Sequence, residues 1–424
     1  MRQQLSIAIA LCTTISLGAV PPEFLTTGDG SYYAPYQLSK AAHIVELAQE
    51  VADGNTFGGK FLVLTADIDM ASVPEWMPQF AGIGVAGEDA MMSRSFRGDF
   101  NGRHYTISHL ALVNDGARAC GFFNSIDDGA YVHHLMLDGS CSVAGGSNTG
   151  AVAGCVWDGM IEFCSSAARV SGSRNVGGIA GTLHSGVIQC CVNSARIDAV
   201  KGVGGVVGLM DGATSVAGCY NTGVIAASAF GACGGIVGQA YGYADVKACY
   251  NTGHISGRPS VEFDIQLSNI ISDAPAVVWK GVMADCCAVG SLSGIVEDGV
   301  TDFQEAAFRS ADALDFLNEA SRRAEFSSNP NSTAVAADRL FIFADGLNDG
   351  FPVQGWLLGA PGTSLESAVA ENAAFEVCGD AVRSLSDRPL TVFSPDGIMV
   401  GHALSVRLPA GIYIVNHTKI HISR

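Results

Sequence analysis

A six-residue phrase returns along this chain at nearly constant distance. It reads "VGGIAG" at Val176 to Gly181, "VGGVVG" at Val203 to Gly208 and "CGGIVG" at Cys233 to Gly238, with looser copies at Thr149 to Gly154 and Cys120 to Ser125. The first glycines of the copies, Gly121, Gly150, Gly177, Gly204 and Gly234, stand 29, 27, 27 and 30 residues apart. A second marker runs in phase, because Cys164, Cys191, Cys219 and Cys249 follow their glycines by 14, 14, 15 and 15 residues. A turn such as "CYNTG" at Cys219 to Gly223 comes next. One glycine loop could cradle a phosphate, but a tandem array of them is an architecture.

Inside each unit the apolar runs are short, rich in Val and Ile, and broken every few residues by Gly, Asn or Asp-Gly. None holds a 3.6-residue period long enough for a helix, whereas strands of four to six residues fit. Units of this length built only from short strands predict an all-β fold in which each coil of a parallel β-helix hydrogen-bonds to the next. The glycines then mark corners and close backbone approaches. The cysteine slot tolerates a plain hydrophobe, since Leu135 holds it 14 residues after Gly121. Glu162, Gln189 and Lys247 lie two residues before their cysteines, so strict alternation would turn those cysteines outward, and only a bend before the slot would bring them in. The expected arrangement is an inward ladder of mostly unpaired thiols. A coil spacing of about 4.8 Å permits bridging without requiring it.

Composition narrows the function. The chain of 424 residues has a formal net charge of -18, which speaks against nucleic acid as a partner. Between Gly150 and Gly257, five acids (Asp158, Glu162, Asp198, Asp211, Asp245) balance five bases (Arg169, Arg174, Arg196, Lys201, Lys247), so the repeat wall is neutral and the flanks are acidic.

The rest divides as follows. Residues 1-20 read as a signal peptide, with Arg2, an apolar stretch from Leu5 and small residues near Ser16 to Ala19. No later run is long and apolar enough for a transmembrane span. Residues 32-95 form an N-terminal cap, whose helix from Ser39 to Val51 places Ile44, Leu47, Ala48 and Val51 on one face, with Ser39 as N-cap and Gly54 after the end. Coils occupy 96-295, a helix and strand cap 296-358, and a small-residue linker 359-372. Residues 373-424 alternate apolar and polar as a small β-sandwich would.

Motifs for chemistry fail on context. "GIGVAG" at Gly82 to Gly87 has no strand leading in and no helix opening, so no dinucleotide cofactor is expected. "DID" at Asp67 to Asp69 lacks the further ligands of a calcium loop. His133 and His134 are adjacent, would point to opposite faces of a strand, and suit solvation or capping better than metal. Polysaccharide-cleaving β-helices need converging carboxylates. Of the five wall acids only Asp158 and Asp211 share a repeat slot, each before a glycine. The expected role is structural or adhesive, with a carbohydrate-active enzyme as the alternative.

The "VGGIAG…CYNTG" units resemble the GLUG-motif repeats of bacterial surface proteins, and "PYQLSKAAHIVELAQEVADG" with "FRGDFNGRHYTISHL" is similar to the segment that precedes such repeats. The tail resembles a C-terminal sorting domain of the type IX secretion system. Its marks are Gly397 in "SPDGIMV" and Gly411 and Tyr413 in "LPAGIYIV". Ala151 after Gly150, and the ending "TKIHISR", depart from these patterns. The resemblance implies a right-handed β-helix, export to the surface of a bacterium with an outer membrane, and partnership with the type IX machinery through a tail that is removed. It implies no known activity. Apart from the resemblance, the adhesive role expected above would take a host or cell-surface glycan or protein as its ligand.

Overall fold

The computed structural model describes residues 21-85, 94-228, 232-257, 267-273, 281-289, 299-324, 326, 340-344 and 348-359, and strands between residues 375 and 422. The chain winds into a parallel β-helix with four faces, visited in the same order on each coil from Asp99 to Asp273. The first face runs from Tyr36–Leu38 to Met283–Ala284 and the second from Ile68–Asp69 to Val300–Phe303, with nine strands each. The third has a path from Ala111–Asn114 to Ile255–Gly257, and the fourth holds six strands from Phe123–Ile126 to Ile271–Asp273. The register sets Gly150, Gly177, Gly204 and Gly234 opposite one another in one column.

A backbone bend shared by the coils explains how the cysteines turn inward. The residue just before the slot is left-handed in six successive coils: His134 (φ 52), Phe163 (φ 50), Cys190 (φ 53), Gly218 (φ 62), Ala248 (φ 53) and Asp285 (φ 54). This region costs a side-chain-bearing residue about 1 kcal/mol. In return Leu135, Cys164, Cys191, Cys219, Cys249 and Cys286 enter the core, all 0% exposed. Each thiol donates to the carbonyl two residues upstream, as Cys191 Sγ does to Gln189 O at 3.2 Å and Cys249 Sγ to Lys247 O at 3.3 Å. A cysteine is small enough for the slot and still supplies that weak donor.

The doubled glycine has an equally local cause. Asn193, Asn221 and Asn251 form a buried ladder, each amide donating to the next at 2.7 and 2.8 Å. The second glycine of each pair lies against its own coil's asparagine. A Cβ on Gly178 would stand 2.3 Å from Asn193 Cγ, and one on Gly205 would stand 2.6 Å from Asn221 Cγ and 2.0 Å from Gly235 O. The departure at Ala151 follows, because the asparagine column there holds the smaller Ser166, opposite Asn193.

The solenoid ends are closed by different means. Helix α1 (Ala41–Ala52) connects the first two strands of the first face and buries Ala41, His43, Ile44, Val45, Leu47 and Val51 against the core. The ladder therefore already begins at Tyr36, within the segment expected to be only a cap. Ser39 is not the N-cap: Lys40 is, with no side-chain bond, and the Ser39 N–H instead donates to His43 Nδ1 at 3.2 Å. At the other end, α2 (Glu305–Phe308) and α3 (Ala311–Arg323) lead into a hairpin of Phe341–Ile342 with Val353–Gln354. This segment buries Phe308, Leu317, Phe341 and Phe351 on an outer bed of Phe163, Cys190, Val192, Tyr220, Tyr250 and Cys287. "CYNTG" is thus more than a turn: Tyr220–Asn221 and Tyr250–Asn251 are short strands, with the two tyrosine rings stacked at 4.6 Å. The C-terminal strands form two antiparallel sheets, of three and four strands.

The glycine and asparagine columns generate a prediction. Gly205→Ala should destabilise the fold by about 3 kcal/mol in a denaturant titration. Gly178→Ala combined with Asn193→Ser, which copies the Ala151 and Ser166 pairing, should cost less than the sum of the single changes by about 1 kcal/mol. Strict additivity would disprove the steric link.

Candidate functional site

Reactive thiols are the first candidates, and the fold seals them. Cys120, Cys141, Cys155, Cys164, Cys190, Cys191, Cys219, Cys233, Cys249, Cys286 and Cys287 are all free and buried. Burial pushes the Cys155 and Cys233 thiols up to about 12, and those of Cys191 and Cys249 well above their ordinary range. All the ladder thiols are shut away from solvent, so no reagent reaches them and the ladder serves as packing in the folded chain.

A second candidate lies at the seam between the wall and the C-terminal cap. His133 and His134 do not diverge to opposite faces as strand alternation requires, because the left-handed backbone at His134 swings its ring back. Their Nδ1 atoms stand 2.8 Å apart. His133 Nε2 lies 3.0 Å from Asp99 Oδ1, and its ring stacks on Tyr131 at 4.1 Å. Tyr131 donates its hydroxyl to Glu162 Oε2, and Gln189 Nε2 donates to Glu162 Oε1 at 2.6 Å. His104 packs edge-on against His134 at 4.5 Å, and Trp356 of the cap closes over His104 and Phe163 at 5.9 and 5.8 Å. The coil register makes this cluster from Asp99, Tyr131, His133, Glu162 and Gln189 on successive coils, which separate repeat positions do not advertise. The signal was the bend that the Glu162 spacing already demanded. Glu162 is fully buried, so the cluster can hold and orient protons but offers a substrate no approach.

The third candidate is open to solvent. A groove of about 580 Å³ crosses the third face, floored by Ser171, Gly172, Ala199, Ala226, Ala227 and Ser256 and edged by Val200 and Ser228. At its rim Asp198 accepts from Arg196 Nε at 2.9 Å and from Arg169 Nη2 at 3.0 Å. Burial alone would raise the Asp198 pKa, but the hydrogen bonds from Arg196 and Arg169 outweigh it and hold the carboxyl below its ordinary value.

The remaining sequence candidates are scattered. Asp211 stands 4.0 Å from His184, and His184 stacks on Trp157 at 3.9 Å. The register places Asp211 in line with Trp157, one position away from Asp158, so the shared repeat slot does not bring the two acids together. In "DID", Asp67 accepts the Thr106 N–H of the following coil and Asp69 accepts the Ala71 N–H of its own turn, so both acids bind backbone. Among the described residues no group of three or more His, Cys, Asp or Glu is placed to hold a metal. Gly411 and Tyr413 lie in the strand Gly411–Val415. Gly397, part of "GIGVAG", the expected signal peptide over residues 1-20 and the expected linker beyond Gly359 lie outside the described residues.

No family model matches the chain. A halomucin of Haloquadratum walsbyi is 31% identical over 132 residues, 30% of this chain. The chain spans about 1% of that protein's length. A crystal structure from Bacteroides ovatus, described provisionally as an immunoglobulin A1 protease, matches with a TM-score of 0.56 at 20% identity, over 78% of this chain and 94% of that one. Another structure, an IgA1 protease, matches at a TM-score of 0.44 and 15% identity, over 70% of this chain and 24% of that one. The Bacteroides likeness shows a shared β-helix fold. No helix of the described residues is long and apolar enough to cross a membrane.

The seam makes stability depend on pH. Burial, with His133 and His104 adding to it, holds His134 down to about 2, and burial with His133 also lowers His104. A histidine depressed in the folded state contributes its full stability above the unfolded value of about 6.5 and loses it as pH falls below that, at about 1.4 kcal/mol per unit. The thermal midpoint should therefore fall between pH 7 and pH 5.5. His134→Asn, which tolerates the left-handed backbone, should be less stable at pH 7 and show a flatter pH slope. An unchanged slope would show that His134 does not titrate on unfolding.

Proposed function

We propose that the chain is an exported, surface-displayed β-helix protein with a structural or adhesive role, its solenoid wall serving as the ligand-contacting surface. The carrying observation is a contrast. The thiols and the Glu162 cluster are sealed, whereas the third-face groove, with its serines and tethered arginines, is open to solvent. A hydrolase or lyase needs carboxylates that reach a substrate, and Glu162, held by Tyr131 and Gln189, is fully buried. The signal-peptide pattern of residues 1-20 and the sorting-domain pattern of residues 373-424 support export to the outer surface through the type IX machinery.

Two outcomes are expected. Purified chain exposed to a panel of glycans and matrix proteins should show saturable binding and release no new reducing ends. Turnover abolished by one Asp or Glu substitution would establish the carbohydrate-active enzyme instead. In cells, deleting residues 411-424 should leave a folded solenoid in the periplasm, and surface-extracted protein should lack every peptide beyond the 359-372 linker. Recovering "LPAGIYIVNHTK" on intact surface chains would overturn the processing reading.

A further inference from the structure

The wall is neutral only in sum, because the coil path sorts its charges by face. Strands Arg169–Gly177 and Ile197–Gly204 of the third face, with Arg196 just before the second, carry Arg169, Arg174, Arg196 and Lys201 against one acid, Asp198. Four bases less one acid leave +3 on this face, in a chain whose net charge is -18. The fifth base of the wall, Lys247, lies on the first face and pairs with Asp245 at 2.9 Å. Glu162 is also on the first face, and Asp158 and Asp211 lie in the turns that lead into it. The nearest further acid on the third face's own path is Asp115, exposed beyond the strand Ala111–Asn114.

The bases are also stacked like on like. Arg174 lies directly opposite Lys201 on the next coil, both exposed, and among the described residues neither has a carboxylate partner. Arg169 and Arg196, on neighbouring coils, converge on the single carboxylate of Asp198. Like charges directly opposite across strands about 4.8 Å apart oppose folding. A polyanion lying across the coils would reverse that sign.

We propose that the third face binds an acidic polysaccharide, its chain running along the solenoid axis through the groove so that uronate carboxylates meet the Arg169/Arg196 and Arg174/Lys201 pairs. Guanidinium forks suit carboxylates, and Ser171, Ser228 and Ser256 place hydroxyls along the groove for sugar hydroxyls. The third-face strands contain no Phe, Tyr or Trp on which bases could stack, so an acidic glycan is favoured over nucleic acid. The inference deepens the adhesive reading and rests on it.

Calorimetry with the full chain would use polygalacturonate, neutral dextran and a single-stranded DNA oligomer as probes. Polygalacturonate should bind at low ionic strength and be released at about 0.5 M salt, while dextran should not bind. Arg174→Ala/Lys201→Ala and Arg169→Ala/Arg196→Ala should each weaken binding by about tenfold or more, and Lys247→Ala should leave it unchanged. Thermal melts guard against misfolding, and the Arg174/Lys201 variant is the safer of the two because it relieves a repulsion. Equal binding of dextran, tighter binding of DNA, or indifference to both double substitutions would each overturn the proposal. If the glycan and matrix panel yields a ligand that both double variants still bind, the adhesive reading stands and this inference falls. If nothing binds, polygalacturonate included, both fall.

Discussion

The left-handed residue before the core slot is the constraint on which the rest of the solenoid depends. Without it, the strand Gly159–Glu162 would continue straight and its alternation would carry Cys164 outward with Glu162. With it, each coil turns from the first face onto the second at the same place, and the backbones of successive coils stay within hydrogen-bonding reach. The turn then fixes two things at once: what enters the core at the slot and what is displayed two residues earlier. Glycine serves the position once, at Gly218, and elsewhere His134, Phe163, Cys190, Ala248 and Asp285 accept the strain because neighbouring coils impose the geometry.

That division explains what was legible in the sequence. The glycine and cysteine markers could be read because they answer to contacts repeated in every coil: the Gly178 and Asn193 approach recurs at Gly205 with Asn221 and at Gly235 with Asn251. The need for a bend could be inferred from Glu162 and Gln189, but its consequence for His133 and His134 could not, since strand alternation gave the wrong answer at a left-handed residue. Ser39 carried a good capping signal and lost to His43, whose ring takes the Ser39 N–H. The seam was hidden for a different reason. Trp356 and Gln354 reach it from more than a hundred residues downstream of the coils they cover, and no local pattern announces such a contact. The basic face was hidden by summation, because counting charges along the chain averages over faces that the coil path separates.

A repeated wall also raises a problem of register for whatever docks on it. The bed beneath the C-terminal cap is itself repetitive: Val192, Tyr220, Tyr250 and Cys287 follow one another in a single column. An apolar cap could shift along such a column by one coil at modest cost. Tyr250 donates to Pro352 O and Gln354 to Gly218 O, contacts that Tyr220 and the Cys190 carbonyl could take over one coil away. The contact that does not recur is Arg323 with Asp285, two bonds of 3.0 Å, at a position where the preceding coils carry Ala248 and Gly218. A shift by one coil would break that pair.

The same logic assigns a purpose to the polar seam that needs no catalysis. Burying Glu162 and the Asp99 and His133 pair adds little net stability, because desolvation offsets most of what their hydrogen bonds return. Their value is that they are singular. Among wall coils that otherwise present Gln189, Ala217 and Lys247 in the column of Glu162, only one position offers a carboxylate flanked by Tyr131 and Gln189 with His134 beside it. Trp356 packs where His104, His134 and Phe163 form one aromatic socket, and no other coil repeats that set. Repetition builds the wall, and the unrepeated polar cluster tells the cap where on the wall to sit.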